Sequence, residues 1–161
     1  MVKLAKMLWR SFTAHAFTIL ITEPDPMLRR LERRALSPKY QIVETSTGEE
    51  AVRIAARHDA HLDLLLTEAR LPRMEGWNLV ELLKMDYPSL KVVYVANSID
   101  AEIRAHTRRA TIVVQEKNRF NAGRLQSAVR DVLETRRKDN AKFPGTRDKF
   151  FSRFRHAWAK R

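Results

Sequence analysis

Glu68 is the residue best placed to do chemistry. It closes the run Leu62-Asp63-Leu64-Leu65-Leu66-Thr67-Glu68, and Leu71, Pro72, Met74 and Gly76 follow it. An apolar run of strand length, ended by a carboxylate and then by Pro and Gly, suits a central parallel strand buried on both faces. The end of such a strand lies at the carboxyl edge of an open α/β sheet, where these sheets place their sites. A core strand with a merely polar end is the other reading of the same residues. Asp63 points away from that edge by strand alternation.

Other chemistries are excluded or unsupported. The chain has no cysteine, which removes disulfides, thiolate metal sites and cysteine nucleophiles. His58, His61 and His106 are scattered without metal-ligand spacing, so solvated or capping roles are expected. There are four glycines in all, and none forms a phosphate-binding loop or a GxGxxG turn after the first strand, so neither a P-loop nor a dinucleotide site is expected.

The elements that must position Glu68 follow from periodicity. Short β-rich runs at 17–22 (FTILIT), 41–45, 62–68, 91–96 (KVVYVA) and 111–116 (TIVVQE) read as strands. Helical patterns fall between and after them. The first covers 27–36, with Asp25 as N-cap, Pro26 at the first position, Leu28, Leu31 and Ala35 inward and arginines outward. The second opens on the capping box Thr47–Glu50 and runs to about His58. The others span 77–87, with Trp77 packing the helix and flanking the site, then 99–107, and 123–138. Five strands alternating with five helices predict an α/β fold with a doubly wound, five-stranded parallel sheet and right-handed crossovers.

The chain has 161 residues and a formal net charge of +12. That charge is uneven: +3 over residues 1–17, +1 over 18–135 and +8 over 136–161. Three parts are therefore expected: a basic amphipathic N-terminal extension (1–16), a nearly neutral domain (17–138) and a basic aromatic tail (139–161). In the first part Lys3, Lys6 and Arg10 form a stripe opposite Leu4, Met7, Leu8 and Phe12. This pattern suits a helix packed on the domain or on a second copy, or an interfacial membrane helix. In the tail Phe150, Phe151, Phe154 and Trp158 share an arc flanked by Arg153 and Arg155. Such a segment suits an anionic membrane surface, nucleic acid, the groove of a protein partner, or packing back on its own domain. Lys6 and Arg10 interrupt the place of a signal-peptide apolar core, and no membrane-length apolar run occurs. The expected location is the cytoplasm, with membrane association left open.

The ILITEPDP start, the TGEEAV helix opening, LDLLLTEARLPRMEG, KVVYVANS and the lysine near the fifth strand make residues 18–135 resemble the receiver domain of two-component response regulators. The resemblance implies the flavodoxin-like (βα)₅ fold. It also implies a phosphoryl acceptor aspartate at the end of the third strand and a pair of acids after the first strand holding Mg²⁺. A Thr/Ser after the fourth strand and a Lys after the fifth would contact the phosphoryl oxygens. This chain departs from that pattern. Glu68 stands at the acceptor position, Glu23-Pro24 replaces the acid pair with Asp25 one place later, and Ala96 replaces the hydroxyl residue. Lys117 falls near the lysine position, and Val114 stands where a switch aromatic often lies.

Glutamate's extra methylene moves its oxygens out of line, and a displacement of about 1 Å costs on the order of a hundredfold in rate. The expectation is therefore a receiver-like protein of phosphorelay signalling that is not phosphorylated and acts as a protein-interaction module. Mg²⁺ binding is expected to be weak or lost, no other cofactor is expected, and no catalytic residue is assigned. Glu68 would either mimic the phosphorylated state through Lys117 or form a plain ion pair. Expected partners are a histidine kinase or another regulator, with a homodimer open. The alternatives are an atypical regulator that takes phosphate at a carboxylate such as Asp25, and a nucleic-acid-binding protein using its tail.

Overall fold

A computed structural model describes residues 17–57, 62–108, 110–115 and 119–142. The expectations for the N-terminal extension, for His58 and His61, for Lys117 and for tail residues Phe150, Phe151, Arg153, Phe154, Arg155 and Trp158 lie outside those residues. The element order is β1 (Thr18–Thr22), α1 (Pro26–Leu36), β2 (Gln41–Thr45), α2 (Gly48–Arg57), β3 (Leu64–Glu68), α3 (Gly76–Asp86), β4 (Lys91–Ala96), α4 (Ala101–His106), β5 (Thr111–Val114) and α5 (Ala122–Lys142). The five strands form one parallel sheet in the order β2-β1-β3-β4-β5. This is the flavodoxin-like order, with its switch point between β1 and β3.

The central strands are apolar because both their faces are covered. Every residue of β1 is buried, as are Leu64, Leu65, Leu66 and Thr67 of β3. Alternation divides them between two cores. Leu20, Leu65 and Tyr94 pack with Ala51, Leu79, Leu83 and Ile103 from α2, α3 and α4. Ile19, Ile21, Leu64, Leu66 and Val95 pack with Leu36, Leu125 and Val129 from α1 and α5.

Local chemistry sets the helix starts. The Asp25 carboxylate accepts from the Met27 and Leu28 amides at 2.9 and 3.1 Å, with Pro26 at the first helical position. The Glu50 amide donates to Thr47 Oγ1 at 3.1 Å. The Glu50 carboxylate reaches back one residue further than a simple capping box, accepting from Ser46 N at 2.9 Å. Asp100 caps α4 by accepting from Ile103 N at 2.8 Å, so that helix starts at Ala101 and not at Ile99.

Several other boundaries differ from the periodicity reading. β3 begins at Leu64, because Asp63 turns its carboxylate to the Thr18 amide at 2.9 Å, at the amino edge. β5 ends at Val114. α5 continues past Lys138 to Lys142, across the expected start of the tail.

Candidate functional site

The carboxyl ends of β1, β3 and β4 surround a cleft of about 370 Å³. Among the described residues it is lined by Glu23, Pro24 and Asp25 after β1, Glu68, Arg70 and Pro72 after β3, and Ala96, Asn97, Ser98, Asp100 and Ile103 from β4 onward. The expected site residues Glu23, Pro24, Asp25, Glu68 and Ala96 are thus brought together by the ladder that pairs Thr22 with Thr67 and Glu68 with Val95.

Glu23 is buried, and its Oε1 accepts from the Asp25 amide at 2.8 Å. Asp25 Oδ1 is held by its two helix-capping bonds. Arg29 Nη1 donates to the Glu23 carbonyl at 2.6 Å, fixing the turn from β1 into α1. Pro24 offers no donor atom from its side chain, and Ala96 is buried and offers only a methyl. Among the described residues no group of three or more His, Asp or Glu side chains is placed to hold a metal ion.

The loop from β3 to α3 closes on itself. Gly76 N donates to Ala69 O at 2.9 Å, and Arg70 bridges Glu75 in antiparallel fashion. A Cβ on Gly76 would sit 2.4 Å from the Glu68 carbonyl oxygen and 3.1 Å from that of Ala69. The glycine is therefore required by space. Arg73, at φ 63°, takes the loop's left-handed residue.

Two features of the site escape the sequence reading. The first is Glu32, on α1. Periodicity puts Leu28, Leu31 and Ala35 inward, but the buried residues are Leu28, Glu32 and Leu36. Glu32 is 1% exposed, and among the described residues neither of its carboxyl oxygens has a hydrogen-bond partner. Burial pushes its carboxyl well above the usual range, helped by the negative charges of Glu23 and Glu68 and opposed by Arg29. It is an acid held toward its neutral form behind the acids of the cleft. The spacing 28-32-36, three positions four apart, is the signal in the sequence that points to it.

The second is Arg70. Its Nη2 lies 2.7 Å from both Asp100 Oδ2 and Glu102 Oε2, and its Nη1 lies 3.7 Å from Glu75 Oε1. The guanidinium carbon stands 5.8 Å from the centroid of the Trp77 ring. That ring stacks on His106 at 4.6 Å and 7°. One cation thus ties the β3–α3 loop to the start of α4, and the aromatic pair ties α3 to its end. The Ile103 amide, then Arg70, hold the Asp100 carboxyl below its usual value, while Asp100 and Glu102 raise that of Arg70. Trp77 flanks this network, in keeping with its place after Gly76 in the sequence. His106 is exposed, as expected, yet serves as a stacking partner.

Comparison with known proteins gives consistent matches. A family model for the response regulator receiver domain matches residues 19–130. The sensor kinase CckA of Brucella abortus is 27% identical over 119 residues, covering 73% of this chain and 12% of that protein. The transcriptional regulatory protein MalR of Bacillus subtilis is 28% identical over 116 residues, covering 70% of this chain and 48% of that protein. The chain therefore spans less than half the length of either relative. Among solved structures, the signal receiver domain of an HD domain-containing protein from Pseudomonas fluorescens Pf-5 aligns with a TM-score of 0.67. It is 21% identical, over 77% of this chain and 99% of that one.

Proposed function

The chain belongs to the response regulator receiver domain family, and we propose that within two-component signalling it is a receiver that takes no phosphoryl group and works as a protein-interaction module. The observation that carries this reading is the pairing of Glu68 with Ala96, a residue without a hydroxyl at the end of β4. At the end of β3 a longer carboxylate stands in the acceptor position, and at the end of β4 the buried Ala96 supplies no oxygen. A transferred phosphoryl group would meet a displaced nucleophile and lack one of its usual contacts.

The first-strand acids support the same reading. Pro24 contributes no carboxylate, the Glu23 carboxylate accepts from the Asp25 amide, and Asp25 is committed to capping α1. Mg²⁺, which prefers strict octahedral geometry from oxygen ligands, is therefore bound weakly or not at all. The capping role also speaks against Asp25 as a substitute acceptor. The contacts of Arg70 with Asp100 and Glu102, which join the β3–α3 loop to the start of α4, support a surface around α4 that is held in one arrangement. A kinase or regulator of the same pathway is the partner class this surface serves.

The test is intact-mass measurement after incubation with Mg²⁺ and acetyl phosphate, on the wild type and on Glu68→Asp. The wild type is expected to keep its mass. A phosphoryl adduct on the wild type sinks the proposal, and peptide mapping then locates the acceptor. An adduct on Glu68→Asp alone assigns the block to the side-chain length at position 68. No adduct on either places it in the surrounding residues as well.

A further inference from the structure

The face of α1 turned away from the sheet carries a different chemistry from the cleft. The helix holds four arginines, no lysine and one acid. That acid, Glu32, is buried, so the outer surface of α1 shows no negative charge. Arg30, Arg33 and Arg34 are exposed, at positions i, i+3 and i+4, and so share one side of the helix. Arg33 reaches Glu44 at 3.4 Å in an ion pair open to water on the arginine side. Lys39 is exposed just beyond the helix end.

The neighbouring helix is mixed in charge. α5 lies against α1, with Gln126 Nε2 donating to the Ala35 carbonyl at 2.8 Å. Arg130 on α5 is exposed and close enough to Tyr40 to act on its phenol electrostatically, which places it by the C-terminal end of α1. Arg130 pairs with Asp131 at 3.5 Å, and Glu134 also acts on Tyr40, so the arginine surface is that of α1. Beyond Glu134 the sequence of α5 continues with Arg136, Arg137 and Lys138.

We propose that this α1 arginine face binds the phosphate backbone of nucleic acid. Three features favour that partner. The cations are arginines, whose planar forks pair with phosphate in two-point fashion. Arg30 to Arg34 covers about 6 Å of helix rise, and a duplex strand presents a phosphate about every 3.4 Å along its axis, so the spacing suits a repeating polyanion. The helix also has nothing to insert into a bilayer: Leu28 and Leu36 are in the core, and of its large apolar side chains only Met27 is strongly exposed. The inference does not depend on whether Glu68 accepts phosphate.

The test is fluorescence anisotropy of the full chain with a short mixed-sequence DNA duplex across a salt series. It is run for the wild type, for Arg30→Gln/Arg33→Gln/Arg34→Gln, and for a tail variant, Arg153→Gln/Arg155→Gln. Exposed Arg-to-Gln changes keep helix propensity, and unfolding midpoints check each variant. The wild type is expected to bind, and removing one arginine–phosphate pair lowers the slope of log K against log salt by about 1. The slope of the triple variant should therefore fall by about 3. A single Arg30→Gln, with a fall of about 1, serves if the triple fails to fold. An unchanged slope in the triple variant, with weakened binding only in the tail variant, overturns the proposal. So does a wild type that fails to bind DNA, whether or not it binds phosphatidylserine vesicles. Displacement of the DNA by polyglutamate as readily as by unlabelled duplex also overturns it, because the face would then read charge and not phosphate.

Discussion

On the β1–β3 flank of the cleft the acids remain: Glu23 and Asp25 after β1, Glu68 after β3, and Glu32 buried behind them. On the β4–α4 flank the oxygen expected at Ala96 is gone, and the loop is tied instead to Arg70 through Asp100 and Glu102. The first flank keeps negative charge, which adds to burial, the larger cause, in pushing Glu32 toward its neutral form. The second carries, in place of a side-chain hydroxyl at Ala96, the ion pairs of Arg70 with Asp100 and Glu102. On the proposed reading, the β4–α4 flank is the part held in place and the charged flank stays for reasons of fold. Each of the following measurements separates these two flanks.

The largest expected effect is at their junction. Gly76→Ala places a methyl 2.4 Å from the Glu68 carbonyl oxygen, against backbone that cannot rotate away. Overpacking of this kind costs about 1–3 kcal/mol, read as a fall in the denaturant midpoint. Gly48→Ala is the control. Its nearest neighbour is the Met74 sulfur at 2.7 Å, the end of a flexible side chain, so its cost should be well below that of Gly76→Ala. Equal costs would mean that the β3–α3 loop is not the rigid link between the flanks.

Next comes Glu32. A carboxyl whose folded pKa is raised favours the protonated native state, so its unfolded form releases a proton that the folded form retains. Stability then falls as pH rises from the ordinary glutamate value toward the raised one, and is flat beyond it. Glu32→Leu should remove this slope and raise stability at pH 8 by about 1 kcal/mol or more, since an unpartnered buried polar group costs about 1–3 kcal/mol. Glu68→Gln removes one of the charges that raise the Glu32 carboxyl, so it should narrow the pH window without closing it. If Glu68→Gln leaves the pH profile untouched, the acid flank is not electrostatically coupled as described.

Much of this molecule can be read directly from its sequence. The strands announce themselves as apolar runs because a parallel sheet buries both faces, and Asp25-Pro26 and Thr47–Glu50 mark helix starts by local bonding alone. Family pattern and strand ends bring Glu23, Glu68 and Ala96 to the cleft, and the ladder confirms their proximity. The failures have physical causes. Charge makes Glu32 look like a solvated residue, although its position lies on the inner stripe of α1. The contact of Arg70 with Asp100 and Glu102 spans 30 and 32 residues, and no local pattern encodes which exposed acid an exposed arginine will meet. The Trp77–His106 stack depends in the same way on the packing of α3 beside α4.

The smallest effect on stability, and the most direct test of the second flank, comes from Arg70→Gln. The Arg70 side chain is 41% exposed and its partners are at least as open as Glu75, at 36%. Ion pairs in water contribute little to global stability, so the unfolding midpoint should barely move. The local consequence should be plain. Without Arg70 the start of α4 keeps its Asp100 cap to Ile103, the Arg104 N bond to the Asp100 carbonyl, and the packing of Ile99 and Ile103 on the core. Amides of residues 101–107 should then exchange faster with solvent, while those of β3 and α1 keep their wild-type rates. The Asp100 carboxyl should rise toward its ordinary value yet stay below it, because the Ile103 amide bond, its larger support, survives the substitution. Unchanged exchange in α4 would break the comparison, since packing alone would then hold the loop and Arg70 would be an ornament of a surface fixed by other means.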